Sequence, residues 1–203
     1  ALDLSIGRQE FTVGDGFLIS DGHFDRLDDG AYWLAPRSAF QGTGLARLRA
    51  GPVHGDLFYL AADGSQDETE IAGLHLELAQ GGLGTLAALA FRVLDSGTPT
   101  VYGPRDGMEV LSLRASEVTL PALPDLALSG EYVSEAGSGR DGRFDASAWY
   151  LQGRYALGGL PWSPTLGYRY ARFSGDADPE DQIRRDFEPF FYGYTDWGTW
   201  YQG

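Results

Sequence analysis

DASAWYLQGRYALGGLPWSPTLGYRYARFSG, residues 145–175, reads as a β-hairpin. In its first arm Trp149, Leu151, Tyr155 and Leu157 share one parity, and Tyr150, Gln152 and Arg154 share the other. In its second arm Leu166, Tyr168 and Tyr170 alternate with Thr165, Gly167 and Arg169. Period-two alternation marks a strand, because successive side chains leave opposite faces of the sheet. A short turn at 158–163, carrying Pro161 and Trp162, joins the arms. Each arm is roughly ten residues long, the length a tilted strand needs to cross a bilayer. One face is apolar and aromatic, and the other is polar and holds arginines. That is the pattern of a transmembrane barrel strand with lipid outside and water inside. An antiparallel sandwich strand with one wet face shares it.

Working outward, the same alternation recurs. Strands are expected at 2–6, 42–50 and 53–61. Four more are expected around Leu74–Leu76–Leu78, Leu89–Phe91–Val93, Leu111–Leu113 and Leu126–Leu128–Tyr132. The hairpin supplies the eighth and ninth, and residues 197–203 begin a tenth. The connections alternate in kind. Those after the odd-numbered strands, including 62–69, 95–107, 136–143 and 174–189, are longer and rich in Gly and Asp. Those after the even-numbered strands are tight and nearly uncharged. A sandwich has no need of that regularity, whereas an outer-membrane barrel has short periplasmic turns and long extracellular loops. The expected fold is therefore all-β: an antiparallel transmembrane β-barrel, or a roughly 9–10-strand segment of a larger one, forming a single domain over 1–203. Tyr155, Trp162 and Tyr168 gather near the tight-turn end, where an interfacial girdle would sit.

Bulk composition narrows the function. The chain has 203 residues, 43% of them hydrophobic, which places it among folded proteins. No apolar run approaches about 18 residues, so no transmembrane helix is expected. The net charge of -14 argues against nucleic acid as a partner, because phosphate binding needs a basic surface. There is no cysteine, hence no disulfide framework or thiolate metal site. All 15 basic residues are arginine, so every fixed positive charge is a planar fork able to grip a carboxylate with two hydrogen bonds. No signal peptide is visible, and neither end reads as a natural terminus; a portion of a longer protein is expected.

Three stretches carry a family resemblance. GRQEFTVGDGFLI at 7–19 resembles the GRQ…G(D)xxLI element of the bacterial alginate-export porin family. Residues 39–61 resemble the strand pair that follows it, with Gln41 in place of the family's usual Asp. Residues 167–203 resemble its Tyr-rich strand, acidic loop, F-x-P-x-F-Y-G element and D-W-G run. The resemblance implies a large outer-membrane barrel, wider than nine or ten strands can close. It also implies residence in a bilayer bearing lipopolysaccharide. The family's C-terminal strand, ending in an aromatic residue, has no counterpart here.

The expected pore-lining residues follow from parity. Arg47, Arg49, Arg114, Arg154 and Arg169 fall on the inward face, with Asp56, Glu77 and Glu131 beside them. Guanidinium groups in a watery channel would attract anions and hold uronate carboxylates transiently. The alternative is that they pair with those carboxylates and brace the wall. The acidic loop residues Asp63, Asp67, Glu68, Asp176, Asp178, Glu180 and Asp181 match no EF-hand spacing and read as solvated loops.

No catalysis, cofactor or metal is expected. His54 and His75 can share a face on neighbouring strands, but no third ligand recurs at a metal-site spacing. Ser20, Asp21 and His23 lie close in sequence, which is weak evidence for a triad. The expected function is passive outer-membrane passage of an anionic or polyhydroxylated solute such as a polyuronate. The rival is a soluble secreted β-sandwich that binds carbohydrate through Tyr and Trp; a membrane-embedded barrel enzyme stands behind it.

Overall fold

A computed structural model describes residues 1–24, 38–62, 68–97, 104–139 and 142–193. Its strands are β1 (Leu2–Ile6), β2 (His23–Phe24), β3 (Ser38–Ala39), β4 (Gly42–Ala50), β5 (Val53–Ala61) and β6 (Glu70–Gln80). They continue with β7 (Gly84–Asp95), β8 (Met108–Leu120), β9 (Leu123–Gly139), β10 (Gly142–Ala156), β11 (Thr165–Phe173) and β12 (Ile183–Arg184). One antiparallel sheet runs β1-β4-β5-β6-β7-β8-β9-β10-β11, each strand beside its predecessor in that series. β12 pairs parallel with the start of β10, in line beyond the place where β11 leaves it. β2 and β3 form a separate small ribbon. Among the described residues β1 and β11 end the sheet without pairing to each other, as in a segment of a larger barrel.

The tight turns lie where the sequence puts them. Gly51 takes φ 59° and Gly82 φ 80°, conformations in which a Cβ is strained. In the β10–β11 turn Leu157 N–H donates to Pro164 O at 2.9 Å, and Trp162 is 99% exposed at the tip. The opposite connections differ in one respect. The expected loop at 136–143 is mostly strand: Gly137 pairs with Phe144 on one side and Met108 on the other. Gly and Ser there suggest a turn, but long neighbours on both sides supply ladder partners, and tertiary pairing overrides local preference. The expected tenth strand at 197–203 lies outside the described residues.

The two faces of the sheet have opposite fates. One is bare and apolar, with Leu48, Leu57, Leu76, Leu113, Tyr132 and Leu151 among its exposed side chains. An apolar surface of this extent is the outside of a membrane barrel. An exposed Arg92–Glu109 pair at 3.4 Å sits on the same face at its loop end, where the apolar band stops. The other face is covered. Its loop-side half is a packed core that includes Phe58, Leu60, Ile71, Phe91, Val110 and Val133. Leu89, Phe91 and Val93 belong to this covered side, so the apolar parity of β7 is the inner one.

Two connecting segments make the cover. Residues 9–20 and 187–193 bond to each other through an Ile19–Phe191 parallel bridge and a Gly193 N–H to Gly16 O bond of 2.8 Å. Their rings then settle on the strands. Phe11 lies 5.2 Å from Phe58, Phe190 5.0 Å from Phe91, and Phe17 5.2 Å from Tyr150, centroid to centroid. The inner face is thus dry toward the loops rather than uniformly polar, because aromatic residues from two segments exclude water from it.

Candidate functional site: a polar belt on the covered face

Toward the tight turns the covered face changes character. Most charged covered residues of the strands lie in this half, Glu135 of β9 being set in the packed half instead, and their side chains form a belt running across the sheet. On β4 and β5 it begins with Arg47, Arg49, His54 and Asp56. Arg47 stands opposite Asp56, and Arg49 opposite His54. Asp56 is 3% exposed and holds three partners: Arg47 Nε at 3.7 Å, His54 Nε2 at 3.0 Å and His75 Nδ1 at 3.1 Å. Arg47 also lies over the Phe11 ring at 5.7 Å, so the covering segment presses on the belt.

The centre of the belt spans three strands. Glu77 on β6 receives Arg114 of β8 at 3.2 Å. Between them lies Ala87 of β7, the register partner of both. Strands are about 4.8 Å apart, so only a long arginine passing over a small residue can make this pair. Arg114 is nearly buried beneath the backbone of Gly14, where a Cβ would collide with its guanidinium. Glu131 stands opposite Arg114 and accepts a hydrogen bond from Ser112 Oγ. Tyr150, opposite Glu131 on β10, donates its hydroxyl to Asp15 at 2.6 Å. Desolvated charges of this kind are tolerable because each is matched by an opposite charge or donor.

The far end repeats the device. Arg154 of β10 reaches over β9 at Ala127 to Glu117 of β8. Parity alone sends Glu117 outward, since Ser112 and Arg114 face in. A bulge between Ala115 and Val118, with Glu117 at φ 53°, turns it inward. Arg169 donates to Gln152 at 2.7 Å and lies 5.6 Å from the Tyr150 ring centre.

Of the residues singled out from sequence, the fold pairs Arg47 with Asp56 and Arg114 with Glu77, and sets Glu131 across from Arg114. Arg169 takes Gln152, which stands on the polar parity of the facing arm, whereas Arg154 takes Glu117, which the alternation did not offer. Arg49 is exposed at the turn side and has no ion pair among the described residues. Asp15 and Glu117 were invisible, one because it lies on a connecting segment and the other because a bulge inverts its side. The third ligand that spacing lacked for His54 and His75 is Asp56, brought there by β5–β6 pairing.

The other candidates separate. Asp21 accepts from Thr12 Oγ1 at 2.9 Å, while the Ser20 backbone N–H bonds Phe191 O. In the acidic loop Arg185 pairs with Asp181 at 2.9 Å and approaches Asp176 at 3.8 Å. The Ile183 backbone N–H, helped by Arg185, holds the Asp181 carboxyl below its usual range. Asp63 and Asp67 lie outside the described residues. A second buried set sits at the loop side: Arg105 pairs with Glu188 at 3.1 Å, and Glu188 N–H donates to Glu135 at 3.0 Å.

Compared with known families, the chain matches the one described as alginate export over residues 1–202. No curated protein and no solved structure matches it.

Proposed function

The chain belongs to the alginate-export family, and from that premise we propose that it forms part of an outer-membrane channel for an anionic polysaccharide such as a polyuronate. The family is one of export rather than of enzymes. One observation carries the reading: a belt of arginines and carboxylates crosses one face of strands whose other face is bare and apolar. The bare face meets the bilayer and its lipopolysaccharide. The belt lines the passage, and passage is passive. Arg47, Arg49, Arg154 and Arg169 offer guanidinium groups at the turn side, the periplasmic end from which an exported polymer enters. The pairing of Arg47 with Asp56 and of Arg154 with Glu117 keeps their grip weak, so a uronate can exchange with the resident carboxylate and move on. Bracing and binding are in this sense one arrangement.

Planar-bilayer recording of the complete barrel tests this. Arg154→Glu places two carboxylates together at the turn-side mouth and should reduce anion preference, read as a shift in reversal potential in a salt gradient. Unchanged selectivity would remove Arg154 from the passage.

A further inference from the structure

We propose that His54, Asp56 and His75 form a binding site for a divalent first-row transition metal ion, zinc foremost, on the turn-side half of the covered face. The donor atoms of these three side chains all lie within 4.8 Å of one another. Zinc takes nitrogen and oxygen ligands at about 2.0–2.2 Å in a tetrahedron, which places its ligands about 3.3–3.5 Å apart. Two of the gaps, His54 Nε2 to Asp56 Oδ1 at 3.0 Å and His75 Nδ1 to Asp56 Oδ2 at 3.1 Å, are near that spacing, one at each carboxylate oxygen. Two imidazoles and one carboxylate with an open fourth position are a zinc donor set, and too nitrogen-rich for calcium or magnesium.

The backbone fixes the three. His75 stands directly opposite Asp56 across the β5–β6 ladder, and His54 is two residues from Asp56 on the same face. Asp56 and His75 are each 3% exposed, so their rotamers are held by packing. His54 is half-buried and opens the cluster toward the turn side, which gives an ion its way in. Glu77, the register partner of His54, stands next to the open position.

His75 supplies a second observation. A metal-ligating histidine hands its outer ring N–H to a carboxylate, carbonyl or water. Nε2 of His75 is buried without a partner among the described residues. His75 also borders a small cavity lined by Val13, Ser112, Arg114 and Glu131, with room for about one water. Binding through Nδ1 would put the ring proton on Nε2, facing that polar pocket. Arg47, 3.7 Å from Asp56, opposes the ion and is partly exposed, so it can swing aside.

The test is a Co2+ titration of the untagged, detergent-refolded protein, read by the visible d–d absorption of tetrahedral cobalt, with Zn2+ and then Ca2+ as competitors. The expected result is one-to-one binding that Zn2+ displaces and Ca2+ does not. His54→Gln and Asp56→Asn should each weaken it by about tenfold or more. Arg47→Gln should tighten it. His54→Gln alters a half-buried residue, so it keeps the test decisive if a variant at His75 fails to fold. A folded wild type with no tetrahedral spectrum overturns the site. So does binding that survives in folded His54→Gln and Asp56→Asn, or displacement by Ca2+.

Discussion

A Cβ added at Gly73 would stand 2.4 Å from the Ala90 carbonyl oxygen and 2.7 Å from Phe58 Cζ. Glycine is there so that the Phe58 ring can lie over the strand beside it. Gly73→Val should therefore cost about 1–3 kcal/mol, measured by urea unfolding in micelles; an unchanged midpoint would mean the ring has room to move. Leu151, 56% exposed on the bare face, probes the other side. Leu151→Arg should destabilise by about 2–4 kcal/mol near mid-membrane, and a negligible loss would make that face wet. At this scale sequence served well wherever alternation was strict: the sides of Arg47, Asp56, Glu77, Arg114 and Glu131 follow from counting by two. It failed at Glu117, because one extra residue in β8 inverts every later side chain, and nothing in RASEVTL announces the bulge.

Among the elements, the two most recognisable stretches turn out to be neighbours. GRQEFTVGDGFLI and the F-x-P-x-F-Y-G run are the segments that bond to each other and cap the packed half of the sheet. The rings these segments bring, Phe11, Phe17, Phe190 and Phe191, fill the covered face. That they meet could not be read in advance, since they lie about 170 residues apart and carry no strand periodicity of their own. Arg105 anchors the second segment through Glu188, with both side chains almost fully buried. Arg105→Ala should cost about 3–5 kcal/mol by leaving Glu188 a buried charge without its counterion. It should also expose the segment to limited proteolysis after Phe190 or Phe191; an unchanged digestion pattern would assign the anchoring to the aromatic rings alone. Ala87 shows the same logic across strands. Ala87→Leu fills the path of Arg114 to Glu77, so it should cost about 1–3 kcal/mol. Ala88→Leu, on the bare side of the same strand, should cost little; equal costs would mean that the crossing arginine needs no gap.

For the whole molecule the decisive property is how its charge and its apolar surface are divided. The net charge of -14 would ordinarily keep a chain of this size dispersed in water. Yet most acidic residues stand in the loops or on the covered face, and Glu109 sits at the loop end of the bare face, which otherwise presents leucine and tyrosine from β1 to β11. Repulsion between loops acts at the rim and does nothing to separate two apolar bands pressed together. The barrel character was legible for this reason: the division into apolar side, polar side, tight turns and long acidic loops is written at period two along the chain. The dry inner half was not, because it depends on which segments fold back. Detergent dependence reads the division directly. Refolded in micelles, the protein should elute as one species by size exclusion, and dilution below the critical micelle concentration should drive it to aggregate at low and at high salt alike. Salt matters little because the association is apolar and the charges that could oppose it are screened or remote. A monodisperse protein in plain buffer would mean that the leucines of β4 to β10 are covered by something other than lipid, and the carbohydrate-binding sandwich would then be the reading to pursue.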